Sequence, residues 1–188
     1  MRNSLAILLL ILPAAPAADW PSWRGPNGDA ISRDANVPLT WSATENVAWK
    51  VPVPGVGHSS PVIARGRIYL TSFLPDTTDR VVICFDARDG KKLWQQTAAT
   101  AAAEKMHKNN SPASATPVTD GDCVWAAFAV DGKIAVVCFD ASGVRKWTRS
   151  FDGFVSPHGF CGSPILADGL LIVNGDSDGE AAFVAALD

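Results

Sequence analysis

Two stretches of the chain, "CFDARDGKKLW" at Cys84–Trp94 and "CFDASGVRKW" at Cys138–Trp147, repeat one pattern. Each begins with the end of an apolar run that closes on Asp, and each ends on a Trp seven or eight residues after that Asp. The apolar run closes on Asp a third time in "FVAALD", at Asp188. A sequence repeat decides the fold class, because each unit must bury its apolar face against its neighbour.

A second anchor opens each unit, where a segment of small residues ends in Ser or Thr before Pro61, Pro117 and Pro164. These prolines lie 56 and 47 residues apart, and the three closing aspartates lie 54 and 48 residues apart. A period near 50 with four short strands per unit is typical of propeller blades. No segment has a convincing helical period, so we expect an all-β protein.

The first unit divides into four predicted strands, "HSSPVIA", "RIYLTSF", "RVVICFDA" and "KKLWQQT". The third strand of each unit is almost continuously apolar, which is typical of a strand that is covered on both faces. Hairpin turns are predicted between strands because Gly tolerates a positive φ and Asp-Gly favours tight hairpins. The predicted turn positions are Gly66, Gly121 and Gly169 for the first hairpins, and 75–79, Asp131-Gly132 and Asp178-Gly179 for the second.

The repeated pattern resembles the pyrroloquinoline-quinone-like (PQQ-like) β-propeller repeat. The opening "WPSWRGPNGD" at Trp20–Asp29 and the later "TWSATENVAWKVPVPGVGHSSP" are similar to the start of exported bacterial proteins of this class. The resemblance implies an all-β propeller of about eight four-stranded blades. We therefore expect this sequence to be an N-terminal fragment with about 2.5 blades, since a unit occupies roughly 50 residues.

The repeat and the resemblance together predict how the chain is divided. A lead segment precedes a partial propeller, and a strand around Trp49 has no blade of its own, so the resemblance implies that it closes the ring. The predicted ranges are 18–48 for the lead segment, 49–188 for the partial propeller, 46–54 for the ring-closing strand, and about 55–98, 111–151 and 159–188 for the blades, the last incomplete.

Two sets of residues are predicted to dock the blades. A Trp on the outermost strand fills the gap between blades while its ring N–H finds an acceptor. An Asp at the end of the third strand accepts backbone N–H groups in the following turn. The predicted docking residues are Trp49, Trp94, Trp147, Asp86, Asp140 and Asp188.

The first 17 residues are predicted to be a signal peptide. Arg2 gives a positive start, an apolar stretch runs from Leu5 to Leu12, and Ala15-Pro16-Ala17 fits the small-x-small cleavage rule. The apolar stretch is too short to span a bilayer. No Cys lies at the cleavage point, so a lipid anchor there is not expected. We expect a periplasmic or secreted protein.

Export would permit disulfides among the four cysteines. Cys84 and Cys138 occupy the same slot in two apolar runs, so we expect both to be buried thiols. Cys123 and Cys161 could pair, and the sequence leaves that pairing open. No CxxC or CxxH spacing indicates a redox pair or a zinc site.

The three histidines fall between a Trp strand and the next Ser/Thr-Pro segment, so they are predicted to lie on one rim of the propeller. His58, His107 and His158 could there bind a metal or an anion. Solvated histidines are the plainer interpretation, because the three lie at different distances from their prolines.

A second candidate site, Asn174–Ala185, begins like a calcium loop but has Ala where the closing Glu belongs, so a hairpin turn is favoured.

The sequence contains no catalytic motif. Its net charge of −3 and lack of a basic run give no indication of nucleic-acid binding. The quinone-dependent dehydrogenases of this superfamily use an adjacent Cys-Cys pair and a calcium ion, and no such pair occurs here. We therefore predict no cofactor, no metal and no catalytic residue in this stretch. The predicted function is a non-catalytic binding or scaffold propeller for a protein partner or for ring-completing blades. The alternative is a quinoprotein oxidoreductase with its cofactor site in further blades.

Overall fold

The computed structural model describes residues 18–35 and 37–188, and the predicted signal peptide lies outside them. Within these ranges no helix is long and apolar enough to cross a membrane. The strands are β1 (Val62–Ala64), β2 (Arg67–Leu74), β3 (Asp79–Asp86), β4 (Lys92–Thr100), β5 (Val118–Thr119), β6 (Cys123–Val130), β7 (Lys133–Asp140), β8 (Arg145–Asp152), β9 (Ile165–Ala167), β10 (Leu170–Gly175) and β11 (Phe183–Leu187).

The strands form three antiparallel sheets, each in simple chain order. Blade 1 contains β1 to β4, blade 2 contains β5 to β8, and blade 3 contains β9 to β11. The two repeat stretches lie at the same place in blades 1 and 2. Cys84 pairs with Trp94 as Cys138 pairs with Trp147, and a register shift follows each pair. The structure is therefore all-β, with two four-stranded blades and a three-stranded blade.

Three of the predicted hairpin turns have two successive residues with positive φ. These are Arg65-Gly66, Asp131-Gly132 and Asp168-Gly169. A two-residue turn whose twist matches that of the flanking strands requires a positive φ at both residues. The hairpin predicted at Asp178-Gly179 also forms, since β10 and β11 pair antiparallel on either side of it, but the turn is longer than two residues. A seven-residue connection joins β10 to β11, and its Asp178 N–H bonds to the carbonyl of Val155 in another loop. The β10–β11 connection therefore lies against the second of the two blade-to-blade loops, residues 153–164.

Two apolar cores hold the sheets together. The first lies between blades 1 and 2, where Tyr69 and Cys84 face Phe128 and Phe139. The second lies between blades 2 and 3 and includes Ile134 from blade 2 with Leu171 and Val173 from blade 3. Each core consists of side chains from two successive units, as the repeat pattern requires.

The third strands differ in how they are covered. β3 and β7 are buried along nearly their whole length, as predicted. The same prediction is wrong for β11, whose side chains alternate between half-buried and exposed, with Val184 75% exposed. Among the described residues only blade 2 packs on this sheet, so one face of β11 has no neighbour.

The lead segment crosses the innermost strands of blades 1 and 2. Trp20 exchanges two backbone hydrogen bonds of 2.8 Å with Ile63 of β1, and the carbonyl of Pro21 accepts the N–H of Thr119 in β5 at 2.9 Å. The stretch 46–54 is not a strand in the structure, contrary to our expectation. Within the described residues no strand lies beside it to supply the ladder of hydrogen bonds.

Candidate functional site

One face of the sheets carries the connections between blades, and we call it the rim face. Antiparallel strands place the β4–β5 connection, residues 101–117, and the β8–β9 connection, residues 153–164, on this face. We call them the first and second rim loops. The second loop starts against the β6–β7 turn, where the N–H of Phe154 bonds to the carbonyl of Gly132 at 2.9 Å.

The first rim loop is attached to blade 1 by a buried arginine that our sequence reasoning missed. The side chain of Arg80 is fully buried and binds Glu104 at 2.5 Å. It also donates to the carbonyl of Ala101 at 2.9 Å and lies over the ring of Phe73. A buried charge needs such partners. The signal that could have found it is the arginine that opens the otherwise apolar run "RVVICFD".

The two rim loops contact each other. The side-chain amide of Asn110 donates to the backbone carbonyl of His158 at 2.6 Å. Gly159 has a φ of +82°, and a Cβ there would lie 2.8 Å from Asn110 Nδ2 and 2.9 Å from Met106 Cβ. Only glycine allows this close approach, so the loops form one continuous surface.

The Ser/Thr-Pro anchors link the blades along the rim face. The N–H of Ser60 donates to Thr116 Oγ1 at 2.9 Å, and the N–H of Thr116 donates to Ser163 Oγ at 3.0 Å. The hydroxyls of the second and third anchors, Thr116 and Ser163, therefore accept from the anchor of the preceding blade. This contact accounts for the Thr before Pro117 and the Ser before Pro164, a pattern that our sequence reasoning noticed without finding its cause.

All three histidines are exposed on the rim face. The structure brings His107 and His158 together, with ring centroids 6.0 Å apart. It places His58 in a cleft with Asn109 and Asn110. No group of three or more His, Cys, Asp or Glu side chains in the described ranges could hold a metal ion.

Two clefts open between these elements. A cleft of about 540 Å³ is lined by Trp23, His58, both rim loops and the anchor residues Thr116 and Ser163. A neighbouring cleft of about 320 Å³ lies between the second rim loop and the β10–β11 connection, with Asp176 and Asp178 on its wall. Cys161 borders both clefts.

The predicted docking tryptophans lie on the opposite face of the sheets. The ring N–H of Trp94 in blade 1 donates to the carbonyl of Ala141 in blade 2 at 3.0 Å. The ring N–H of Trp49 donates in the same way to Ala87 in blade 1 at 3.1 Å. Trp147 packs in the second core.

The two internal aspartates of the docking set order the turns that receive these rings. Asp86 accepts the side chain and the backbone N–H of Arg88, and these bonds lower its pKa to about 2. The pKa of Asp140 is also lowered, because its carboxylate accepts the hydroxyl of Ser142 and the N–H of Val144. Asp188 lies just after β11 and is exposed.

The four cysteines are free. Cys84 and Cys138 are buried, as expected, and burial raises the pKa of each thiol to about 12. Cys161 is exposed on the second rim loop, while Cys123 lies on β6, diagonally across from Cys138. The pairing of Cys123 with Cys161 that the sequence left open is not formed.

Comparison with known proteins agrees with this architecture. The family model described as "Outer membrane protein assembly factor BamB" matches residues 30–153, more than half of the chain. No curated protein matches significantly.

Three solved structures illustrate the structural similarity. The quinohemoprotein alcohol dehydrogenase of Comamonas testosteroni is 19% identical with a TM-score of 0.60, over 93% of this chain and 26% of that one. BamB from Moraxella catarrhalis is 18% identical with a TM-score of 0.48, over 75% of this chain and 36% of that one. A quinohemoprotein alcohol dehydrogenase from Pseudomonas putida HK5 is 22% identical with a TM-score of 0.45, over 75% of this chain and 20% of that one. The chain thus spans about a third or less of these proteins.

Proposed function

The chain belongs to the PQQ-like repeat propeller family, whose BamB-type model it matches, and from this we propose that it is a non-catalytic binding or scaffold propeller for a protein partner. The observation that carries the proposal is the rim face. Two long connections there are fixed to the blades and to each other, through Arg80 with Glu104 and through Asn110 with His158. Loops held by a rigid sheet are the usual location of binding surfaces.

The place of action in this proposal is the periplasm or the cell exterior. Its support is the predicted signal peptide together with the family description, which names an outer-membrane assembly factor. Docking of blades through Trp49, Trp94 and Trp147 is part of the same proposal, since a scaffold must hold its rim loops in fixed positions.

A photo-crosslinking experiment tests the partner surface. A photoreactive side chain is placed in the full-length protein at Lys108 on the first rim loop and, as the control, at Ser142 on the opposite face; both positions are exposed. We expect one discrete protein adduct in cells from position 108 and none from position 142. Equal labelling at both positions, or none at either, would contradict the proposal.

The residues described here do not fit the cofactor of the alternative, a quinoprotein oxidoreductase. They offer no acidic or histidine cluster for its metal, and the chain has no adjacent cysteine pair. The full-length protein supplied with pyrroloquinoline quinone and Ca²⁺ can be assayed for dye reduction with simple alcohols. Quinone-dependent turnover would overturn the non-catalytic proposal.

A further inference from the structure

The larger rim cleft has the size and composition of a small-molecule site. Its volume of about 540 Å³ falls within the roughly 300–1,000 Å³ of typical ligand pockets. One wall is the lead segment, which the backbone bonds of Trp20 and Pro21 fasten across blades 1 and 2. The other walls are the two rim loops and the anchor residues. The cleft is thus formed by segments that the structure holds in place independently.

The lining of this cleft carries no Asp, Glu, Lys or Arg side chain. Its polar groups are the imidazole of His58, the amides of Asn109 and Asn110, and the hydroxyls of Ser114, Thr116 and Ser163. Such a set provides hydrogen-bond donors and acceptors without a fixed charge. It therefore favours an uncharged polar ligand over an ion.

An aromatic surface stands beside these polar groups. The side chain of Trp23 is 57% exposed although it belongs to the cleft wall. An indole face accepts the apolar C–H face of a sugar ring, while the hydroxyl groups at the ring's edge bond to amides and hydroxyls.

The polar groups also keep bonding capacity for a ligand. Thr116 Oγ1 and Ser163 Oγ act as acceptors in the anchor contacts, so each hydroxyl hydrogen remains free to donate. The side chain of Asn109 is exposed. By contrast, Asn110 already bonds to His158 and to the N–H of Ser111, so its role is to hold the loops together.

We propose that this cleft binds a neutral saccharide, with Trp23 as the stacking surface and Asn109, Thr116 and Ser163 as hydrogen-bonding groups. This saccharide site would be a further function beside the proposed protein binding. It lies on the same rim face, but all the residues that form it belong to this chain. A propeller with such a site would recognise sugar chains while its rim loops contact a protein.

Calorimetric titration of the full-length protein tests this proposal with cellotetraose, chitotetraose and maltotetraose as neutral probes, and with sodium phosphate and a Lys-rich peptide as charged probes. We expect saturable binding of at least one oligosaccharide. Trp23→Ala should weaken that binding by about tenfold or more, since stacking of this kind is a large part of a weak interaction.

The matched control is Trp41→Ala, because Trp41 is 71% exposed, belongs to the same lead segment and lies outside the cleft. It should leave binding unchanged. Asn109→Ala gives a second disruption at an exposed loop position, which should not affect folding, as circular dichroism can check. Binding of none of the oligosaccharides, binding unaffected by both cleft variants, or binding of charged probes alone would overturn the proposal.

Discussion

Trp94 of blade 1 donates its indole N–H to the carbonyl of Ala141 in blade 2 across 3.0 Å. Its ring lies against Gly143 in the same turn, where a Cβ would come within 2.9 Å of the indole. Trp49 repeats the arrangement one blade earlier, with Ala87 as acceptor and Gly90 beneath the ring. In blades 1 and 2, the turn after the third strand therefore receives the tryptophan that precedes the blade.

Gly143→Ala should destabilise the protein more than Gly132→Ala. Both glycines have positive φ, +89° and +73°, but nothing lies within 4 Å of a Cβ at Gly132. The control variant Gly132→Ala should lower the free energy of unfolding by about 1 kcal/mol, from backbone strain alone. Gly143→Ala should lower the free energy of unfolding by about 3 kcal/mol, since the new methyl group also displaces the ring of Trp94. Urea denaturation of both variants measures the difference, and equal costs would show that the ring contact is unimportant.

Glu104→Gln should loosen the first rim loop. The charge of Arg80 would remain fully buried without a negative charge beside it, and Glu104 is itself only 22% exposed. We expect the free energy of unfolding to fall by roughly 2 kcal/mol, which is less than the cost of breaking a completely buried ion pair. Hydrogen exchange should increase in residues 101–111. Glu180→Gln, at an exposed glutamate of the β10–β11 connection, is the control, and exchange as slow as in the wild type would contradict the anchoring role of Arg80.

The stability of the protein should fall as the pH drops from about 4 towards 2, in part through Asp86. Its pKa is lowered to about 2 in the folded state by its bonds to Arg88, against about 3.9 in an unfolded chain. A lowered folded-state pKa stabilises the protein above the unfolded pKa, and that contribution is lost on protonation.

Asp86→Asn tests this pH dependence by denaturation at several pH values. The variant should be less stable than the wild type at pH 7, and the gap should close near pH 2. Asp76→Asn, in the exposed β2–β3 turn, should follow the wild-type profile. A gap for Asp86→Asn that stays constant with pH would show that the charge of Asp86 does not matter.

The exposed Cys161 and the two buried cysteines should differ in their reactivity towards a thiol reagent at pH 8. Cys161 is exposed, whereas Cys84 and Cys138 are buried with pKa values raised to about 12. Because the thiolate is the reacting species, we expect a fast phase from Cys161 and none from the buried pair until the protein unfolds. Cys161→Ser should remove the fast phase. Its persistence would mean that another cysteine is exposed.

The sequence alone was sufficient for the architecture. Apolar runs that close on Asp, a period near 50 residues, and Gly or Asp-Gly between runs depend only on local geometry and on burial, so they identified the blades of this chain. The buried state of Cys84 and Cys138 followed from the same pattern. The length of the β10–β11 connection was not predicted, and its contact with Val155 from a different loop has no local signal.

Only the tertiary structure revealed how the loops of the rim face are held together. Arg80 of blade 1 reaches Glu104 of the first rim loop across 24 residues. Ser60 reaches Thr116 across 56 residues because folding brings successive blades side by side. The lead segment lies across β1 and β5 through backbone bonds, which any residue except proline can donate and which therefore leave no trace in the sequence. The sequence determined the repeating unit, whose stability comes from contacts between equivalent positions. The clefts could be seen only in the structure, because they form where loops that are distant in the sequence meet at one end of the sheets.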